Sequence, residues 1–146
     1  MPGRALVAAW AGILCGVIGV LSSAAAPKQA STRPLQTIFG IYGRLAPGQD
    51  SIGVSERPGG KIGVALKLYY SMGHTCQLTG EGEWRDDHVA VVADGLDANR
   101  PCKLNLFFEN GHVLLKDEGL RCTPVYCGAR GKLDNVRLPK ASPDSK

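Results

Sequence analysis

The sequence predicts an all-β domain, a small antiparallel up-and-down barrel of about eight strands stapled by two disulfides behind an N-terminal signal peptide. Three observations predict it. Apolar and polar residues alternate with period two in a series of short runs. Gly, Asn, Asp and Pro punctuate those runs, and helical periodicity is absent beyond the N-terminus. Four of the five cysteines lie in this alternating region, an even number suited to two bridges in an exported domain.

The chain opens MPGRALVAAWAGILCGVIGVLSSAAAPKQA. Arg4 supplies a positive charge, an uncharged apolar run follows to Leu21, and Ser22 to Ala26 are small. That order reads as a secretory signal peptide over 1–26, removed on export with Cys15 inside it. Cleavage there leaves roughly 120 residues, enough for one domain. The polar, proline-containing stretch 27–36 reads as a flexible leader, the barrel domain spans 37–138, and 139–146 reads as a flexible tail. The expected location is therefore periplasmic or secreted.

Within the domain, "TIFGIYGR" and "SIGVSE" are short strands. "KIGVALKLYY" and "HTCQLTGEGEW" flank Ser71–Gly73 as a hairpin. A three-residue turn sets Leu68 opposite Cys76 and Leu66 opposite Leu78 inside, with Lys61 opposite Glu83 outside. "HVAVVAD" returns from Trp84 through a tight turn at Asp86-Asp87. "CKLNLFFE" folds onto "HVLLKDEG" at Asn110-Gly111, the pair that suits a type I′ turn. This matches Phe108 with Val113, Leu106 with Leu115, and Lys103 with Glu118. "KLDNVRL" then closes the sheet. Closure removes the two edges of such a meander, and Leu66, Leu68, Leu78, Trp84, Leu104, Leu106 and Phe108 suffice to fill a barrel of this size. Glycines at 40, 43, 53, 63, 80 and 82 fit sharp bends or close sheet contacts.

Strand direction puts Cys76, Cys102 and Cys122 at one end of the barrel, with Cys127 close by. The preferred pairing is Cys76–Cys102 with Cys122–Cys127; the rival is Cys102–Cys122 with Cys76–Cys127. The C-x4-C spacing of Cys122 and Cys127 is not that of a zinc knuckle, and no second close Cys or His pair accompanies it.

The same reading bounds function. A formal net charge of +4, spread without blocks or an aromatic stripe, argues against nucleic acid. His74, His88 and His112 each border a different turn, as exposed turn residues do, and form no metal motif. No nucleophile elbow, P-loop or dinucleotide glycine pattern occurs. Glu81 and Glu83 share an outward face, partnered by Lys61, rather than a glycosidase cleft. No enzyme activity and no cofactor are expected. Two loops remain as partner-binding candidates: "SERPGGK", with Arg57 and Lys61, and "TPVYCGARGK", with Tyr126, Arg130 and Lys132. Tyr and Arg are common interface anchors, and a constrained loop lowers the entropy cost of binding.

The order "HTCQLTGEGEW … CKLNLFFENGHVLLKDEG … C … YCGARGKLDN" resembles small exported bacterial proteins grouped with the periplasmic lysozyme inhibitors. The resemblance implies a compact β-barrel that plugs the active-site cleft of a peptidoglycan-cleaving enzyme, as an inhibitor or an immunity protein. Lysozyme-type sites work through paired carboxylates, which a rigid loop carrying Arg or Lys can engage while excluding the sugar. The chain lacks the Ser-Gly-x-x-Tyr-like loop of the better-known inhibitors. Two other classes compete: a small-ligand or lipid carrier using the barrel interior, and a structural component of the envelope.

Overall fold

The computed structural model describes residues 37–142. The expected signal peptide, Cys15 and the 27–36 leader lie outside the described residues. Eight antiparallel strands follow one another in simple neighbour order: β1 (Gly40–Gly43), β2 (Ser51–Arg57), β3 (Lys61–Tyr69), β4 (Thr75–Arg85), β5 (His88–Asp97), β6 (Arg100–Glu109), β7 (His112–Asp117) and β8 (Val136–Pro139). The sheet curls into a nearly closed barrel. Its seam is held by an antiparallel bridge between Tyr42 and Lys140 and by Ala141 N–H donating to Ile41 O at 2.8 Å. The ordered chain thus continues past the expected domain boundary at 138.

Turn chemistry and alternation set the registers. Leu68 faces Cys76 and Leu66 faces Leu78 across β3 and β4, while Phe108 faces Val113 and Leu106 faces Leu115 across β6 and β7. Asn110 and Gly111 both take positive φ, 48° and 73°, as a type I′ turn requires. Outside, Lys61 pairs with Glu83 and Lys103 with Glu118 at 3.4 Å. The alternate residues point inward and fill the barrel: Ile52, Ile62, Leu68, Leu104, Leu106 and Leu115 are fully buried. Each such side chain contributes roughly 1.5–3 kcal/mol. Phe108 meets a tilted Tyr42 ring at a centroid distance of 5.6 Å and stacks with Trp84 at 6.5 Å.

Two features depart from the meander the alternation predicts. β5 runs on to Asp97 with a register break between Ala93 and Asp97. Gly95 sits in that break, where an added Cβ would lie 1.8 Å from Arg100 O. After β7 the chain makes one helical turn, α1 (Thr123–Tyr126), too short for any helical period to show.

The disulfides correct the preferred pairing. The structure joins Cys76 to Cys127 and Cys102 to Cys122, with Cα–Cα distances of 4.0 and 4.5 Å. Cys76 belongs to β4 and Cys102 to β6, with β5 between them. Two interstrand spacings amount to roughly 9–10 Å, beyond the roughly 4.4–6.8 Å that a disulfide spans. Cys122 instead sits 0% exposed beneath the start of β6, and the helical turn carries Cys127 away to β4. Among the described residues no helix is long and apolar enough to cross a membrane.

Candidate functional site

β4 and β5 diverge, and the segment after β7 fills the gap between them. β4 pairs with β5 only from Gly82 to Arg85, because β5 then follows β6 through Ala93 opposite Cys102. The first half of β4 is therefore free of β5 on that edge. Cys127 takes the place there, forming an isolated antiparallel bridge with Cys76, and Gly128 N–H donates to Thr75 O at 2.9 Å. The disulfide covalently locks the same contact.

A buried carboxylate organises the approach to this plug. Asp117, last residue of β7, is 5% exposed. It accepts from Cys122 N–H at 2.9 Å, and from Thr123 N–H and Thr123 Oγ1–H, each at 2.8 Å. Thr123 Oγ1 in turn accepts from Leu133 N–H at 3.1 Å. Leu133 is fully buried and anchors the far end of the loop. Asp134 closes the network, its carboxylate accepting from Asp117 N–H at 3.1 Å. A carboxylate removed from water in this way is tolerable because its lone pairs are matched by donors.

Two tyrosines brace the loop from either side. Tyr126 donates its hydroxyl to Asp94 O at 3.0 Å, reaching β5. Tyr70 donates to Lys132 O. Burial pushes both phenols above their ordinary value, Asp94 and Asp50 adding to the effect through their charge. Gly131 completes the fit, since an added Cβ there would stand 2.6 Å from Cys76 Sγ. The result is a loop fixed by a disulfide, a buried leucine, two phenols and a carboxylate network.

On that frame Arg130 and Lys132 are exposed, and neither forms an ion pair with a described residue. Tyr126 is partly buried against the core and bonded to Asp94, so it steadies the loop that carries them. Beside them lies an open groove of about 530 Å³, lined in part by Leu120, Pro124, Ala129 and Lys132 with Cys127 among its walls. The other two partner-binding candidates lie elsewhere. Lys61 and Arg57 stand where β2 turns into β3, at the opposite end of β3 from Leu68 and its partner Cys76. Seven residues of strand separate the two ends by roughly 24 Å. Lys61 is moreover engaged by Glu83, whose carboxyl its hydrogen bond and charge hold below the usual range, with Arg85 assisting.

The five candidates are thus two groups at opposite ends, and only the cysteine-bridged group sits on a braced loop. Alternation carried one unread signal. Val113, Leu115 and Asp117 share the inward face of β7, so a carboxylate stood in an apolar series and marked the network. His88 packs its ring on Phe107 at 4.8 Å, and His112 Nδ1 lies 3.0 Å from Asn110 O. Among the described residues no group of three His, Cys, Asp or Glu side chains is placed to hold a metal ion.

Compared with protein-family models, curated proteins and solved structures, the chain matches none.

Proposed function

We propose that the chain is a periplasmic or secreted binding protein that inhibits a peptidoglycan-cleaving enzyme, as a lysozyme inhibitor or an immunity protein, by occluding its active-site cleft. The observation that carries this reading is the pair Arg130 and Lys132, unpaired among the described residues and mounted on a loop braced at both ends. A cation mounted on a braced loop costs little loop entropy on meeting a carboxylate. Guanidinium and ammonium groups are suited to the paired carboxylates on which such hydrolases depend. Two disulfides are compatible with life outside the cytosol. The filled interior leaves the exterior to do the binding.

The experiment is a lysis assay in which the purified, disulfide-bonded domain is titrated against a panel of lysozymes, transglycosylases and amidases. Inhibition of at least one enzyme near one-to-one stoichiometry is expected, weakened at least tenfold by the double substitution R130A/K132A. A panel left untouched, or an inhibition indifferent to that pair, contradicts the proposal.

A further inference from the structure

Exposed large apolar side chains are distributed unevenly over this barrel. Among the described residues they are Leu45, Met72, Val92, Leu96, Leu120 and Val125, with Met72 79% and Leu45 75% exposed. Topology assigns all six to one half. Leu45 lies between β1 and β2, on the side where Ser51 pairs with Lys67 near the end of β3. Met72 occupies the turn joining β3 to β4. Val92 and Leu96 lie in the part of β5 around its break, near Cys102. Leu120 follows β7, and Val125 lies on α1. The turns of the opposite end, around Gly59, Asp86 and Asn110, carry none.

Charge is uneven at the same end. Most of its acids are occupied internally. Asp50 accepts from Tyr69 N–H at 2.7 Å, Asp97 pairs with Arg100 at 2.8 Å, and Glu118 pairs with Lys103. Asp117 and Asp134 serve the buried network. Arg44, Arg121, Arg130 and Lys132 have no ion-pair partner among the described residues. Four cations of this end therefore stand outside any ion pair with a described residue, set among apolar tips.

We infer that this whole end, and not the 123–132 loop alone, is a docking face for a protein surface that is acidic with apolar ground between its carboxylates. A lone apolar tip on a surface is ordinary, but all six share one end of the barrel, and unpaired cations give that end a preferred sign of partner. A protein fits better than an anionic bilayer. The apolar tips come singly from separate connections, and Asp94, Asp97 and Glu118 stand among them. Of these only Asp94 lies outside an ion pair with a described residue; a bilayer would repel it, whereas a protein can match a mixed pattern residue by residue. The partner's identity as a cell-wall hydrolase rests on the function proposed above; the face itself does not.

The test compares two sets of charge reversals in the disulfide-bonded protein, R121E/R130E/K132E at the cysteine end and R57E/R85E at the other. Against a hydrolase that the wild type inhibits, the first set is expected to weaken inhibition at least tenfold and the second less than about twofold. The reverse result overturns the docking face and leaves inhibition standing. If the wild type inhibits no hydrolase, the functional reading has failed and the face is tested by photocrosslinking in the exporting cell. A photoreactive residue at Leu120 or Met72 is then expected to trap one discrete protein, while one at Asp86 or Asn110 does not, and the trapping is lost with R121E/R130E/K132E. Equal trapping from both ends, or none, overturns the inference. So does saturable binding of the wild type to phosphatidylglycerol vesicles that the same reversals abolish.

Discussion

Asp117 and Tyr42 are single residues on which the stability of this barrel depends. The Asp117 carboxylate satisfies two backbone donors and one hydroxyl at the start of α1. Asp117→Ala strands all three in a partly dry site, so urea unfolding under oxidising conditions is expected to show a loss of about 2–4 kcal/mol. Asp117→Asn, which keeps an acceptor, is expected to lose less than half of that. Equal losses would mean that a single amide oxygen cannot replace the carboxylate. Tyr42 is buried, with its hydroxyl donating to Ile38 O at 2.8 Å, and burial pushes its phenol from 10.0 up to about 12. The folded state therefore holds a proton that the unfolded chain gives up first. This contribution is fully present below pH 10 and is lost as pH rises from there towards 12. The loss amounts to about 2–3 kcal/mol. Tyr70 and Tyr126 are raised too and act in the same direction. Tyr42→Phe is expected to show a shallower decline over this range. A variant with the wild-type slope would contradict the assignment.

Among the elements, the hairpins were legible and the plug was not. Alternation marks which face of a strand is buried, and the turns at Ser71–Gly73 and Asn110-Gly111 fix how far each partner slides. Two local signals therefore fix β3 to β4 and β6 to β7 without tertiary information. The bridge between Cys76 and Cys127 depends instead on β5 leaving β4 after Gly82 and Val91. That divergence is a property of three strands together, and no local pattern states it. Gly95 is its nearest trace, a glycine in an otherwise alternating strand. Gly95→Ala would drive a Cβ against Arg100 O, and a cost of about 2–3 kcal/mol in unfolding free energy is expected. If it is neutral, the break in β5 is not set by close approach. Bridge removal separates the two disulfides by loop length. Cys102–Cys122 closes 20 residues and Cys76–Cys127 closes 51. Paired serine substitutions are therefore expected to cost about 3 and about 4 kcal/mol respectively. Non-reducing peptide mapping that returned Cys76–Cys102 would overturn the topology of the plug.

Across the whole molecule, the barrel divides its work by end. One end closes through short polar turns, with Lys61 and Arg85 both paired to Glu83. The other gathers both disulfides, the tyrosine braces and the unpaired cations Arg130 and Lys132. The sequence offered both loops as candidates, and the hairpin register that sets Lys61 opposite Glu83 and Leu68 opposite Cys76 already holds Lys61 away from the cysteines. A binding face dominated by exposed cations also carries a salt signature. Screening over roughly 8 Å at physiological ionic strength weakens such attraction, so association with an acidic partner is expected to slow as salt rises. A salt-independent on-rate would assign recognition to the apolar tips alone.

The claim that matters most is that Arg130 and Lys132 enter a hydrolase cleft and displace the glycan. Steady-state kinetics of an inhibited enzyme on a soluble peptidoglycan oligosaccharide test it most directly. Occlusion requires that the wild-type protein raise KM while leaving kcat unchanged. A fall in kcat at constant KM would place the protein away from the cleft and contradict the account.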